Sequence, residues 1–221
     1  MKKHEIQFHD DEKRSSSGSK RACPADIEPN RRSHDVLNVY KNQITGYYKN
    51  KTWDLIKRYT NTYELVNKTP VPVSRSYFKL WEMMAEHKDL LDIGESALFI
   101  AEGPGGFVEA YVEFLQKKHG RLPGAIFCNT LISIQRHVPV WKIPTQSMKD
   151  VPMEFLNGSD GTGDIYSLAN IDAIVDVIGE EKIAFVTADG GFDFSADFNL
   201  QESTSVRLLA SEIYLDHRVQ K

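Results

Sequence analysis

Three glycines in a tight turn, one lysine and two aspartates are the residues of this 221-residue chain whose types and spacing bear most directly on chemistry. The turn is "EGPGGF" (102–107), preceded by the apolar run "ALFIA" (97–101) and followed by apolar residues at helical spacing. Gly103, Gly105 and Gly106 let the backbone approach a bound group closely, and a helix starting behind them directs N–H groups the same way. The pattern is not G-x-G-x-x-G, since Phe107 follows the glycine pair, and Asn129 rather than an acid ends the next apolar strand. A nicotinamide dinucleotide is therefore disfavoured. "GTGDI" (161–165) sets Asp164 in a glycine-bordered loop, where a carboxylate can accept from an adenine amino group. "TADGGFDFS" (187–195) sets Asp189 at the carboxyl end of another apolar run. "SRSYFKLWEM" (74–83) places Tyr77, Leu80, Trp81 and Met84 on one helical face and Arg75, Lys79 and Glu86 on the other. Taken singly, each has a plain reading as a tight turn or a solvated surface lysine.

These residues need a scaffold, and beyond residue 96 the pattern supplies one. Short apolar runs at 97–101, 124–129, 153–158 and 182–189 read as strands, and 106–118, 167–179 and 199–217 as helices between and after them. Continuous apolar strands alternating with helices mean a mostly parallel, doubly wound α/β sheet covered on both faces. Ligands in such sheets sit outside the carboxyl ends of the strands, where the glycine turn and Asp189 both fall. The closing helix carries a capping box, Asn199 with Glu202, and a predicted core face of Val206, Leu209, Ala210 and Ile213. Ser74 is the expected cap of a helix running to His87. Residues 1–35 are polar and Ser-rich and read as a disordered tail. Residues 36–69 read as a helical extension, in which Tyr40, Tyr47, Tyr48, Trp53, Tyr59 and Tyr63 are expected to pack on a core more than to hold RNA; 70–221 form the main domain.

Composition excludes little. With 41% hydrophobic and 26% charged residues and a net charge of −4, the chain has no global basic field, so RNA contact calls for a local patch. Cys23 and Cys128 alone build neither a disulfide framework nor a zinc site, and no metal is expected. No apolar run reaches the roughly 20 residues of a membrane span. A reducing, cytoplasmic setting is the expectation, host cytoplasm or virion if the source is viral.

Together "SRSYFKLWEM", "AEGPGGF", "FCNTL", "GTGDI" and "VTADGGFDFS…NLQE" resemble the FtsJ-like RNA 2′-O-ribose methyltransferases, most closely the messenger-RNA cap enzymes of eukaryotes and large DNA viruses. The resemblance covers about residue 70 onward and implies a Rossmann-like methyltransferase fold that binds S-adenosylmethionine. It implies that Lys79 and Asp189 are the first two members of the family's catalytic Lys-Asp-Lys-Glu tetrad. Gly103, Pro104, Gly105, Gly106 and Phe107 would line the methionine and ribose end of the cofactor, Asn129 and Thr130 the ribose, and Asp164 and Ile165 the adenine. Arg75, on the Lys79 face, is the candidate RNA contact, and a capped mRNA 5′ end the implied partner. Where many members carry an acid this chain has Phe99, and Glu102 is the carboxylate that can stand in for it.

The family's second Lys and its Glu follow on strands after the closing helix, and this chain stops before them. The fold is thus expected to be C-terminally incomplete, with "KIAFVTAD" (182–189) at a sheet edge that a partner or a further C-terminal segment covers. Methyl transfer from a sulfonium is an in-line displacement, and Lys79 serves as base only as the neutral amine, which calls for desolvation or a neighbouring cation. The alternative function is a non-catalytic, methyltransferase-like subunit that binds cofactor or RNA.

Overall fold

A computed structural model describes residues 31–49, 52–60, 71–87, 96–135, 138–145, 148–191 and 201–220. Their chain contacts form two units, one within Phe8–Lys68 and the other holding Thr69–Lys221. The first contains α1 (Arg31–Lys49) and α2 (Thr52–Thr60). Helix α1 begins inside the stretch read from sequence as a tail, so Arg31–Asp35 are helical; residues 1–30 lie outside the described set. The expected burial of the aromatics does not occur where it can be seen: Tyr40, Tyr47 and Tyr59 are exposed. The apolar residues of α1 do fall at helical spacing, as Leu37, Tyr40, Ile44 and Tyr47 show.

The second unit runs α3 (Ser76–Glu86), β1 (Ser96–Ile100), α4 (Gly106–His119), β2 (Ile126–Cys128), β3 (Met153–Phe155), α5 (Leu168–Ile178), β4 (Ile183–Ala188) and α6 (Gln201–Val219). The strands form one parallel sheet in the order β3-β2-β1-β4. The chain steps outward from β1 through β2 to β3, then crosses back to pair β4 with the other side of β1, Leu98 opposite Val186 and Phe99 opposite Thr187. This reversal opens a crevice at the carboxyl ends of β1 and β4.

All five β1 residues are buried because the sheet is covered on both faces. Its period-2 alternation divides them: Ala97 and Phe99 join α3 and α4 through Leu80, Met84, Val108, Tyr111 and Phe114, while Leu98 and Ile100 meet Ile171, Ile174 and Leu215. Helix α4 stops at Gly120, whose φ of +67° suits a residue without Cβ, and Lys117, Lys118 and His119 lie in its last turn where cations are favoured.

Two buried acids of α4 seat α3 and the segment before it. Glu109 Oε2 accepts the Val73 N–H at 2.8 Å, and Glu113 Oε2 accepts the Tyr77 hydroxyl at 3.0 Å. Burial, reinforced by the Glu113 charge, pushes the Tyr77 phenol well above its ordinary range, so it stays a donor. Ser74 does not cap α3 with its side chain; its hydroxyl pairs with that of Ser76, and Arg75 occupies the cap position without capping the helix through its side chain.

Helix α6 corrects a second expectation. Val206, Leu209 and Ile213 are exposed, and the helix buries Ser211, Glu212, Leu215 and Val219 instead, with Leu208 half-buried. The Asn199 cap lies outside the described residues. Among the described residues β4 pairs with β1 alone, and its residues 184–187 are only half-buried although their sequence suits a fully covered strand.

Candidate functional site

Lys79, on the exposed face of α3, reaches across to the end of β4. Its Nζ lies 2.9 and 2.8 Å from the two Asp189 carboxylate oxygens, although 110 residues separate them in the chain. The aromatic underside of α3 fixes the direction of that reach: Tyr77 stacks on Trp81 at 5.6 Å, and Trp81 meets Phe114 edge-on at 5.1 Å.

Beside the pair lies the glycine turn. Ala101 adopts φ +54°, a left-handed conformation that strains a residue with a Cβ, and the chain then turns the next side chain inward. Glu102 is 4% exposed and its Oε1 accepts the Phe107 N–H at 2.6 Å, so this chain caps its own α4. Two more amides of the turn are engaged within the chain. Gly103 donates to Thr130 Oγ1 at 3.1 Å and Gly105 to the Glu102 carbonyl at 2.9 Å, and Pro104 has no N–H. The glycines face the protein as well. A Cβ on Gly103 would lie 2.7 Å from Thr130 Oγ1, one on Gly105 would enter the Ile143 side chain, and one on Gly106 would lie 3.0 Å from the Tyr77 amide nitrogen.

Burial pushes the Glu102 carboxyl up to about 8, partly opposed by the Phe107 and Val108 amides; the Asp189 charge adds to the rise and Lys79 subtracts from it. The turn therefore offers few free donors, and the buried carboxyl beneath it holds its proton near neutral pH.

The third wall comes from β2 and the loop after β3. Asn129 is 1% exposed and its amide bridges the Leu156 and Gly163 carbonyls at 2.9 and 3.1 Å, so it ties two strand ends together instead of presenting its N–H groups to a ligand. Thr130 supports Gly103, and Ile165 is buried in the core. Asp164 is half-buried; one carboxylate oxygen accepts the Tyr166 N–H at 2.9 Å. Asn170, fully buried in α5, donates to the Asp160 carboxylate and the Asp164 carbonyl and accepts from Ser159. It thereby sets the loop that carries Asp164. Gly163 has φ +69°, and a Cβ there would press into the Thr130 carbonyl, which is backbone and cannot rotate away. Gly163→Ala is expected to cost about 2–3 kcal/mol and lower Tm by roughly 5–10 °C, read by thermal denaturation.

The FtsJ-like methyltransferase family model matches residues 72–220. The chain belongs to that family. Among curated proteins it is 34% identical over 117 residues to a cap-specific mRNA (nucleoside-2′-O-)-methyltransferase 1 of Trypanosoma cruzi, a match covering 50% of this chain and 29% of that protein. The Trypanosoma brucei brucei protein of the same name is 32% identical over 111 residues, covering 50% of this chain and 28% of that one. The chain thus matches less than a third of the length of these relatives. A solved structure described as a ribosomal RNA methyltransferase from Plasmodium falciparum aligns with a TM-score of 0.45 and 15% identity, over 67% of this chain and 72% of that one.

In this FtsJ-like unit the described geometry brings Lys79 and Asp189 into contact, with Glu102 within electrostatic range of both. Arg75 is exposed at the start of the same helix. A cleft of about 570 Å³ runs from the pair along Leu80, Met83, Met84 and the consecutive β4 residues Phe185–Ala188. Successive residues of a strand face opposite ways, so a cleft that meets four of them in a row follows the strand's open edge. Among the described residues no group of three or more His, Cys, Asp or Glu side chains could hold a metal ion. Sequence reasoning missed Asn170 and the buried acids of α4 and α6. The available signal was a polar residue at a position where the surrounding helix is apolar, as in "LANIDAIV".

Proposed function

We propose that this chain binds S-adenosylmethionine and serves methyl transfer to a ribose 2′-hydroxyl of RNA, at or near a capped messenger 5′ end. The observation that carries the proposal is the Lys79–Asp189 contact, formed beside a turn whose Gly103 and Phe107 amides are engaged within the chain. When bound, S-adenosylmethionine supplies a methyl carbon activated by a sulfonium. The backbone of Gly103–Phe107 would hold the methionine and ribose end, and Asp164 and Ile165 the adenine, with Asn129 and Thr130 fixing the strand ends behind the ribose. The names of the trypanosomal relatives support an mRNA cap as the target.

Lys79 and Asp189 define how a hydroxyl would be received. Two of the three outer positions on Nζ face the Asp189 oxygens. The third is then a hydrogen in the ammonium and a lone pair in the free amine, and only the lone pair takes a proton from the attacking hydroxyl. Asp189 aims the amine, and Arg75, exposed on the same helix, is placed to meet RNA phosphate. A second reading, a binding module without turnover, is favoured by the same ion pair, in which both Asp189 oxygens occupy Nζ. The open edge of β4 is the proposed seat of a further strand, from this protein or a partner. No helix among the described residues is long and apolar enough to cross a membrane, and the proposed place of work is the cytoplasm.

Calorimetry with S-adenosylmethionine and its demethylated product tests the cofactor. Asp164→Ala is expected to weaken binding by about 1–3 kcal/mol through loss of a charge-assisted hydrogen bond. Absence of binding to the folded parent, with a family member binding normally beside it, would sink the proposal. Transfer to capped but not uncapped oligonucleotide would identify the target, and binding without transfer would select the second reading.

A further inference from the structure

The residue after Asp189 is held from a helix with no assigned part in the site. Gly190 donates its N–H to Glu212 Oε1 at 3.2 Å, and Glu212, on α6, is 6% exposed. The fit around Gly190 is close. A Cβ there would press into Glu212 Oε1, would lie 2.8 Å from Leu208 Cδ2, and would lie 3.1 Å from Ala101 Cβ. The peptide that follows β4 is therefore enclosed by α6 on one side and by the strained start of the glycine turn on the other. We propose that Glu212 is a positioning residue for Asp189: by accepting the Gly190 N–H it fixes the backbone beyond β4 and so aims the Asp189 carboxylate at Lys79.

A carboxyl is an odd choice for a buried position unless its oxygen has a task, because taking it from water costs free energy that only a bond to it recovers. Burial pushes Glu212 up to about 7, the Gly190 amide opposes the rise, and the Asp189 charge adds to it. Tyr166 also lies within electrostatic range. Protonated or ionised, the group keeps an oxygen for Gly190. Glutamine keeps it too, whereas alanine does not, and this separates positioning from simple filling of space under α6.

The test uses the whole chain, with nitrogen-15 in glycine and carbon-13 in the aspartate carboxyls. In the parent, the Gly190 amide is expected to be protected from exchange, its shift to titrate with a midpoint near 7, and the Asp189 carboxyl resonance to move in Lys79→Ala. Glu212→Ala is expected to speed Gly190 exchange about tenfold or more and to at least halve the response of Asp189 to Lys79→Ala. Glu212→Gln should keep protection and response while abolishing the titration. An undiminished response in Glu212→Ala, or a glutamine variant that behaves like alanine, overturns the assignment. If the alanine variant does not fold, a parent Gly190 amide that exchanges as fast as an unprotected one overturns it equally. A kinetic arm rests on the proposed function: Glu212→Ala should lower kcat about tenfold with KM for RNA and cofactor within about twofold, and glutamine should recover most of the loss. Failure of that arm with the resonance results intact would count against the proposed function and leave the positioning role standing.

Discussion

Replacing Lys79 by alanine lowers the rate of methyl transfer to a capped oligonucleotide by about a hundredfold or more, while folding and cofactor affinity stay close to those of the parent. The separation follows from where the residue sits. Its side chain is 57% exposed and stands on the face of α3 opposite Tyr77, Leu80 and Met84, so no core packing is lost with it. An exposed ion pair contributes at most about 1 kcal/mol to stability. Arginine sharpens the result. It keeps a cation for Asp189 but does not release a proton near neutral pH, so Lys79→Arg stays slow if the amine acts as base and recovers if its charge is what counts. The assay compares single-turnover rates with calorimetric cofactor affinity on the same preparations. Unchanged transfer in Lys79→Ala would remove the residue from the mechanism.

Glu102→Gln is expected to stabilise the protein, and increasingly so as pH rises. The folded state holds the Glu102 proton up to about pH 8, whereas the unfolded chain releases it near 4.5. Between those values the folded state binds more protons, so stability falls with rising pH, and above 8 the full cost of a buried carboxylate is present. That cost is on the order of 5 kcal/mol. Glutamine cannot ionise, yet its oxygen still accepts the Phe107 N–H. Thermal denaturation of parent and variant should therefore coincide near pH 4.5 and diverge toward pH 9, with the variant melting higher. Parallel curves across the range would show that Glu102 ionises at its ordinary value, and with it that the base of the crevice is wet.

The legible parts of this protein are those where one physical signal acts alone. Apolar runs located the four described strands within a few residues, most plainly β1 and β2, where a buried strand has no polar positions to blur it. The motif blocks paired Lys79 with Asp189 before any geometry was known. Helix α6 was misread because it carries two apolar stripes. Val206, Leu209 and Ile213 form the cleaner one, but the sheet takes the stripe of Leu208, Leu215 and Val219, which includes Ser211 and Glu212. Hydropathy argues against burying those two; a bond from Gly190 and one to the Arg207 carbonyl argue for it. At the glycine turn, sequence shows that side chains are missing but not what fills the space, and here Ser74, Ser76, Thr130 and Ile143 lie closest. Local consistency fails where a site makes its own demands.

The reversal of strand order between β3 and β4 has a kinetic meaning. Strands β1, β2 and β3 follow one another around the glycine turn and the Asp164 loop, so the elements assigned to the cofactor assemble from near-neighbour contacts. Asp189 arrives only when β4 crosses back to β1, closing a loop that begins 110 residues away at Lys79. Contacts of such separation form late, because the entropy of closing them is lost before they return any energy. As the chain leaves the ribosome, the glycine turn and the Asp164 loop therefore emerge before Lys79 can meet Asp189.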